Sequence, residues 1–529
     1  MIVEDQRELI EFLCHSTSYP EPDARVERID THSAVVFLVG ARAYKLKRAV
    51  RYDYLDFSTA DLRRRFCDAE LTLNRRTAPG LYEDVVPVTR ERDGRLAIAG
   101  GGDPVDWLVR MHRFPDDRLL DRVAAHGDLA VDMMPRLALA IARLHASAAQ
   151  RSDHGGAAGM EWVISGNERG LVEEGRDLFD ATLLTRVLAA TRRELVRTTP
   201  LLDRRRAAGW VRVCHGDLHL GNIVLIEGEP VLFDAIEFND DISCIDVLYD
   251  VAFLFTDLWR LGLRPQANAL FNAYLGAMFR DTADYEALTL LPLFLSCRSA
   301  VRAKTSATAC RLQRDPAHAD PLARAARTYL AEAADVLHPA APVLLAIGGA
   351  SGTGKSTLGR RLAADVGAAP GAVVLRTDVL RKQLCGVPET VRLGPEAYTA
   401  DMHARVYAEL VGRADVALRA GHSVIVDGVF GRVGEREHVA GAAKAAGARF
   451  AAVWLHAPRT VLEARVAARL GDASDASVVV LGDQLAQMEA PTWAAVEASG
   501  LPDAVVERVS EVLARTPGLG GHVPDPASS

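Results

Sequence analysis

A lysine, a serine and four glycines follow a short apolar run: Val343 to Ile347 opens into Gly349-x-x-x-x-Gly354-Lys355-Ser356, and an apolar-periodic stretch with Leu358 and Leu362 comes next. Strand, glycine loop and helix in that order turn the pattern into a phosphate site. Glycine tolerates the turns that aim backbone N–H groups inward, and the helix start adds the positive end of its dipole. The backbone from Gly349 through Ala350, Ser351, Gly352, Thr353 and Gly354 to Thr357 would wrap the phosphates. Lys355 would reach the β- and γ-phosphates, and the Ser356 hydroxyl would bind Mg²⁺. A glycine-rich turn that binds nothing is the alternative, and the full pattern in its context argues against it. The chain is expected to bind a nucleoside triphosphate.

A second set is built from acids. His215-Gly-Asp217-Leu-x-x-x-Asn222 precedes two apolar runs, Ile223–Ile226 and Val231–Phe233, which flank Glu227-Gly-Glu-Pro230, a hairpin signal; Asp234 follows. Phosphoryl transfer needs one carboxylate beside the acceptor hydroxyl, and a carbonyl oxygen with a second carboxylate to hold Mg²⁺. Protein kinases place such an Asp and Asn five residues apart, with the metal Asp after the next hairpin. Asp217 stands in the place of the base, and Asn222 and Asp234 in those of the metal ligands. A polar turn capped by Asp and Asn is the alternative for either residue alone. The spacing, the flanking His-Gly and the second Asp together favour the functional reading.

The totals bound what can hold these residues. A chain of 529 residues exceeds one hydrophobic core and should form two or three domains. With 49% apolar and 25% charged residues it is ordinary globular material, and a formal charge of −8 gives no general attraction for nucleic acid or an anionic membrane. Seven scattered cysteines without a CxxC pair suit reduced thiols in a cytoplasmic protein rather than a disulfide framework or a zinc site. The N-terminus lacks the basic and apolar regions of a signal peptide, and no uncharged apolar run has the length of a membrane span.

Residues 3–14 read as a helix. The alternating segment Ser33–Lys47 reads as two strands turning at Gly40-Ala41, with Lys45 and Lys47 on one face. An edge strand guarded by lysines is the commoner reason for such a pair. Ser58 or Thr59 then caps a helix that carries Glu70. Strands are expected at 85–89, 96–98 and 106–114, and a helix at 133–146 ending in Leu144-His145-Ala146. Asp246, Tyr249 and Asp250 open an apolar helix, and helices continue to residue 337. Arg298 and Arg302 share a helix face and could line an acceptor pocket, although a solvated or carboxylate-paired face is commoner.

His215-Gly-Asp217-Leu-His-x-Gly-Asn222 with the downstream Phe233-Asp234 resembles the aminoglycoside phosphotransferase and choline kinase group, relatives of the protein kinases, over roughly residues 30–310. The resemblance implies an α+β protein-kinase-like, bilobal fold for residues 1–337. It implies a strand lysine that holds the α- and β-phosphates and pairs with a helix glutamate. Ala43-Tyr-Lys45 is most similar to that strand, Lys47 is the runner-up, and Glu70 fits the glutamate. The family position makes Met111 to Phe114 the hinge that meets adenine and makes Asp250 a brace for the catalytic loop, a helix N-terminal acid being an equally good reading. Gly216 in place of Arg, and Asp234-Ala-Ile in place of Asp-Phe-Gly, suit a small-molecule kinase better than a protein kinase. Only Gly40 lies between the first strands, so phosphate capture would lean on Lys45 and the metal.

Residues 338–342, with two prolines, read as a stiff linker. Residues 343–515 then alternate strand and helix, with strands at 343–347, 372–376, 423–426 and 449–455 and an edge strand at 504–507. That alternation implies an α/β P-loop NTPase fold with a mainly parallel sheet and ligands at the strands' C-terminal ends. Asp378 follows the second strand, Asp427 the third, and Arg465 and Arg469 share a helix face after the fourth. Helix caps and solvated arginines are the ordinary alternatives. Beside a phosphate loop, Asp378 reads as the base for an acceptor hydroxyl, Asp427 as a neighbour of Mg²⁺, and Arg465 and Arg469 as lid arginines over the phosphates. Thr377-Asp-x-x-Arg381-Lys and Arg465-x-x-x-Arg469 resemble AAA-type P-loop kinases related to zeta-toxin, polynucleotide kinase and gluconate kinase. The loop Gly471–Ser477 resembles members fused to a phosphotransferase half, so the whole chain resembles that two-domain kinase family.

These readings predict a tandem kinase in which each half binds ATP and Mg²⁺ and phosphorylates a hydroxyl of a small-molecule acceptor, such as a sugar, amino sugar or nucleoside-like compound. One alternative is a nucleotide-sensing or ATPase half that regulates the other. Another is a macromolecular acceptor; the net charge argues against nucleic acid and Gly216 against protein. Residues 516–529, rich in Gly, Pro and Ser, are expected to be disordered.

Overall fold

The alternating segment forms two antiparallel strands, Ala34–Val39 and Arg42–Lys47, joined through Gly40, whose φ of 54° suits glycine. They are inner strands of a six-stranded antiparallel sheet. Its order is Val26–Asp30, Ala34–Val39, Arg42–Lys47, Asp103–His112, Tyr82–Arg90 and Leu96–Ile98. Lys45 stands in register with Val36 on one side and Val109 on the other, so its strand is interior and the edge-guard reading of the lysines fails. Tyr44 and Leu46, alternating with the lysines, face a core of Val35, Phe37, Val88 and Leu108 closed by Leu9 and Leu13 of the helix Arg7–Cys14. Each fully buried leucine of this kind contributes about 2 kcal/mol. The helix Ala60–Asn74 packs against the strand Asp103–His112, and Thr59 caps it by accepting from the Leu62 N–H. Helix Met134–Ser147, the hairpin of Ile223–Ile226 and Glu229–Leu232, and helix Val247–Arg260 follow. This is the protein-kinase-like arrangement.

The computed structural model describes residues 2–20, 24–313, 315–468 and 473–515; the expected tail and Arg469 lie outside the described residues. Two units emerge, one of Met1–Gly166 with Thr199–Asp257, the other of Asn167–Thr198 with Leu258–Ser529. The expected linker, residues 338–342, lies within the second span.

In the second unit a wholly parallel sheet runs in the order Val373–Arg376, Val424–Asp427, Val343–Gly348, Arg449–His456 and Ala494–Glu497. Leu345, Ile347, Leu358, Leu362, Ile425 and Val453 fill its core. The strand expected at 504–507 is instead part of a helix, Pro502–Ala514. Val505, Val509 and Leu513 recur every fourth residue and bury together, and Pro502 suits a first helical turn, so the helical period wins over the β-branched pair Val505-Val506. The edge strand is Ala494–Glu497. Helices Leu291–Leu312 and Pro316–Asp335 pack on each other through Ala300, Ala303, Tyr329 and Leu330 in the same unit. Arg298 is buried there, and Arg302 donates to the Tyr329 hydroxyl at 3.2 Å. All seven cysteines are free. Among the described residues no helix is long and apolar enough to cross a membrane.

Candidate functional site

In the first unit the interior strand aims two lysines at one glutamate. Lys45 Nζ lies 2.8 Å from Glu70 Oε1 and 2.5 Å from Asp234 Oδ1. Lys47 Nζ lies 2.6 Å from Glu70 Oε2 and also meets Glu237. Burial pushes the Glu70 carboxyl up, but the two ammonium groups outweigh it and hold it down at about 2. Burial pulls Lys45 down, yet Asp234 and Glu70 keep it well above the usual lysine range. The side chain of Lys45 is 15% exposed and that of Lys47 2%, so Lys45 is the one that can meet a ligand from solvent. Lys47 neutralises Glu70 and Glu237 inside the protein, a partnership that the sequence reading missed because Glu237 carries no motif of its own.

Asp217 and Asn222 share one turn: Asn222 Nδ2 donates to Asp217 O at 2.9 Å and to its Oδ2 at 3.1 Å. This turn is sewn to the segment that carries Asp234. Phe233 N–H donates to Asn222 O at 3.1 Å, and Ile236 N–H to His215 O at 2.9 Å. His215 Nε2 donates to Phe233 O at 2.9 Å, and burial, despite the neighbouring Asp250 and Asp217, keeps that ring's value lowered and the ring neutral. Asp234 has a φ of 60°, a strained conformation of the kind that gathers at functional sites. It is held there by two bonds: Asp234 N–H to the Tyr82 hydroxyl at 3.1 Å and Ala235 N–H to Asn74 Oδ1 at 2.8 Å. Asp250 is the brace that the resemblance implied. It accepts the N–H groups of His215 and Gly216 at 3.0 and 2.9 Å and meets His145 Nε2 at 3.0 Å. His145 is a second residue that the sequence reading left without a role. Met111 pairs with Ala43 near the end of its strand and, with Phe114 and Phe233, packs against the buried cluster of Leu81, Tyr82 and Val109. Lys45, Glu70, Asp217, Asn222 and Asp234 thus form one cluster.

In the second unit the glycine loop joins strand Val343–Gly348 to helix Lys355–Ala363. A Cβ at Gly349 would stand 2.4 Å from Leu455 O, and one at Gly352 2.9 Å from Leu462 O, both at positive φ, so the loop requires glycine at these places. Thr353 Oγ1 donates to Ala350 O at 2.8 Å, and the Ser351 N–H to Gln484 Oε1 at 3.0 Å. Lys355 Nζ donates to Ala350 O at 3.1 Å. Ser356 Oγ and Asp427 Oδ2 are 2.5 Å apart, and Arg376 Nε lies 3.4 Å from the same carboxylate oxygen. Burial, and then the charge of Asp427, push the Asp378 carboxyl above its ordinary value, against the pull of Lys355.

One cavity of about 850 Å³ is lined by Gly354, Lys355, Ser356, Thr357, Asp378 and Asp427, with Arg381 and Gln484 further along. Phosphate loop, hydroxyl–carboxylate pair and candidate base open onto one space. Asp475 ties its own loop to the helix Thr377–Leu384, which carries Asp378, accepting from Lys382 Nζ at 3.0 Å, and to the segment after that helix, accepting from Tyr398 Oη at 2.9 Å and Leu393 N–H at 3.1 Å. Arg465 takes a place the sequence reading did not foresee. Its guanidinium donates to Ala498 O at 2.8 Å, to Ser499 O at 2.9 Å and to Gly352 O at 3.4 Å, so it joins the loop after the last strand to the glycine loop.

Two family models match the chain. That of the phosphotransferase enzyme family covers residues 56–291, and an AAA domain model covers residues 344–491. Uncharacterized proteins of Mycobacterium tuberculosis and Mycobacterium bovis are 31% identical over 461 residues, 85% of this chain and 88% of theirs. Among solved structures, a gluconokinase from Sinorhizobium meliloti is 25% identical, with a TM-score of 0.24 over 33% of this chain and 96% of its own. A choline kinase from Cryptosporidium parvum is 11% identical, with a TM-score of 0.40 over 62% and 94%.

Proposed function

Because the chain belongs to the two-domain kinase family that joins a phosphotransferase domain to an AAA-type P-loop kinase domain, we propose that it is a tandem ATP-dependent phosphotransferase whose halves, residues 1–337 and 343–515, each phosphorylate a hydroxyl of a small-molecule acceptor. The observation that carries the reading is the same in both halves: a hard-oxygen set suited to Mg²⁺ stands beside a further carboxylate. In the first half Asn222 and Asp234 would hold the ion, and Asp217 would receive the acceptor proton. In the second Ser356 and Asp427 would hold it, with Asp378 as the base. Bound Mg²⁺ neutralises charge on the triphosphate as the bond to the γ-phosphorus breaks.

The chain's own side chains do the rest. Lys45, kept cationic by Glu70 and Asp234, holds the α- and β-phosphates of the first nucleotide. The glycine loop wraps those of the second, and Lys355 would leave Ala350 O for the β- and γ-phosphates. A positioned base contributes about 10²- to 10⁴-fold. The test is a screen of a metabolite pool for ATP-dependent gain of one phosphate, run on the intact chain, on Asp217→Ala and on Lys355→Ala. Two kinases predict that each variant loses a different product. If Asp217→Ala keeps every product while Lys355→Ala loses them all, the first half is no kinase.

A further inference from the structure

The edge strand Val373–Arg376 runs straight into Asp378, and its outer edge is not open. Val373 N–H faces inward, to Ser423 O at 2.9 Å, so Ala372 O and Val374 N–H face outward. One side chain takes both outward groups. Asn272 Nδ2 donates to Ala372 O at 3.1 Å, and Asn272 Oδ1 accepts from Val374 N–H at 2.7 Å. Asn272 therefore stands where a further strand would pair. Asn268, one turn earlier on the helix Arg264–Met278, donates to Pro370 O at 3.1 Å and Ala372 O at 3.0 Å, and its Oδ1 accepts from Asn272 Nδ2 at 3.0 Å. The approach requires Gly371, where a Cβ would lie 2.7 Å from Asn268 Nδ2 and 2.4 Å from Ala363 O.

The helix that carries Asp378, Thr377–Leu384, is tied to the same neighbourhood. Gln383 accepts from Arg413 Nη1 at 2.8 Å, and Arg413 Nη2 donates to Arg280 O at 3.0 Å. Its Nε donates to Glu409 at 2.7 Å, which accepts from Thr282 Oγ1 at 2.9 Å. Both backbone flanks of Asp378 thus end, inside one unit, on residues between Asn268 and Thr282. Those residues belong to the segment that matches the phosphotransferase family, whereas Asp378 belongs to the segment that matches the AAA domain.

We propose that Asn272, supported by Asn268 and Arg413, is a positioning residue for Asp378, so that the helix Arg264–Met278 of the phosphotransferase segment sets the acceptor base of the P-loop site. The proposal rests on the reading of Asp378 as that base. The glycine loop hangs from a different strand, Val343–Gly348 at the sheet's centre, and the edge strand meets the nucleotide site through Arg376 beside Asp427, not through the groups that Asn272 holds.

The test uses the full chain carrying Lys45→Met and Asp217→Ala, which silence the first half, with Mg-ATP as the probe and phosphate release to water as the readout. Asp378→Asn should remove the acid limb of the pH profile. That limb belongs to the Asp378 carboxyl on the cavity wall, where burial disfavours the charged form. Asn272→Ala should lower the plateau about tenfold and move the limb to lower pH as water reaches the carboxyl, with affinity for a fluorescent ATP analogue unchanged within about twofold. Asn272→Asp keeps an acceptor for Val374 N–H and should fall between, and it decides by the same readouts if Asn272→Ala does not fold. A limb that stays in place in the Asn272 variant but vanishes in Asp378→Asn overturns the positioning role. So does an analogue affinity that falls in parallel with the rate, which marks general damage. A limb that survives Asp378→Asn removes the base assignment itself, and the positioning role with it.

Discussion

Lys45 and Lys47 are two residues apart on one strand and answer to the same glutamate, yet they should fail differently when removed. Lys45→Met leaves Glu70 paired with Lys47 and takes away the less buried cation of the two, so first-half transfer should fall by about 10² or more while stability changes little. Lys47→Met strands the carboxylate of Glu237, whose side chain is 5% exposed, while Glu70 keeps Lys45, and should cost about 3–5 kcal/mol in denaturant unfolding of the first unit. The pair also sets a pH dependence. Glu70 is held at about 2 in the folded chain, below its value of about 4.3 in an unfolded one. Its contribution is therefore complete above that unfolded value and is lost as pH falls towards the folded one. Glu70→Gln should flatten the acid branch of a stability–pH curve across that window, and a branch left as steep as before would contradict the assignment. Asp217, Asn222, Asp234 and the glycine loop were legible because their chemistry depends on local spacing. The division of labour between the lysines was not, since Glu237 reaches Lys47 across 190 residues of chain.

At the scale of elements, the turn that carries Asp217 and Asn222 depends on a neighbouring helix. Asp250, on the helix Val247–Arg260, accepts two backbone N–H groups of the turn and the ring of His145, all buried. Asp250→Asn offers one oxygen and two misplaced donors where two oxygens are used. The expected loss is about 1–3 kcal/mol for the unsatisfied groups, together with most first-half transfer, while Lys355-dependent transfer survives. Denaturant titration and the two product assays check it. The brace was half legible: a family position named Asp250, but a histidine 105 residues earlier became its partner only through the fold. The parallel sheet was legible from alternation, except at its edge. There Val505-Val506 suggested a strand, and only the recurrence of Val505, Val509 and Leu513 shows the helix. The asparagines on the helix Arg264–Met278 carry no sequence signal, because their partners are main-chain groups a hundred residues away.

At the scale of the whole chain, the match to the mycobacterial relatives runs over 461 residues, more than either half alone, so the pairing of the two domains is a property of the family. The residues of the first cluster all lie in one unit and those of the second cavity all lie in the other. Two sites so built predict a stoichiometry. A non-hydrolysable ATP analogue with Mg²⁺ should bind the intact chain twice in isothermal titration, once in Lys45→Met, once in Lys355→Ala, and not at all in the double variant. Stability must follow by mass action: at an analogue concentration of 100 times Kd, each occupied site adds about 2.7 kcal/mol to the unit that holds it. Calorimetric scans should therefore show two upward shifts in the intact chain, with Lys355→Ala cancelling only the shift of the second unit. An intact chain that binds one analogue, with Lys45→Met or Lys355→Ala indistinguishable from it, would leave a single working site and end the tandem reading.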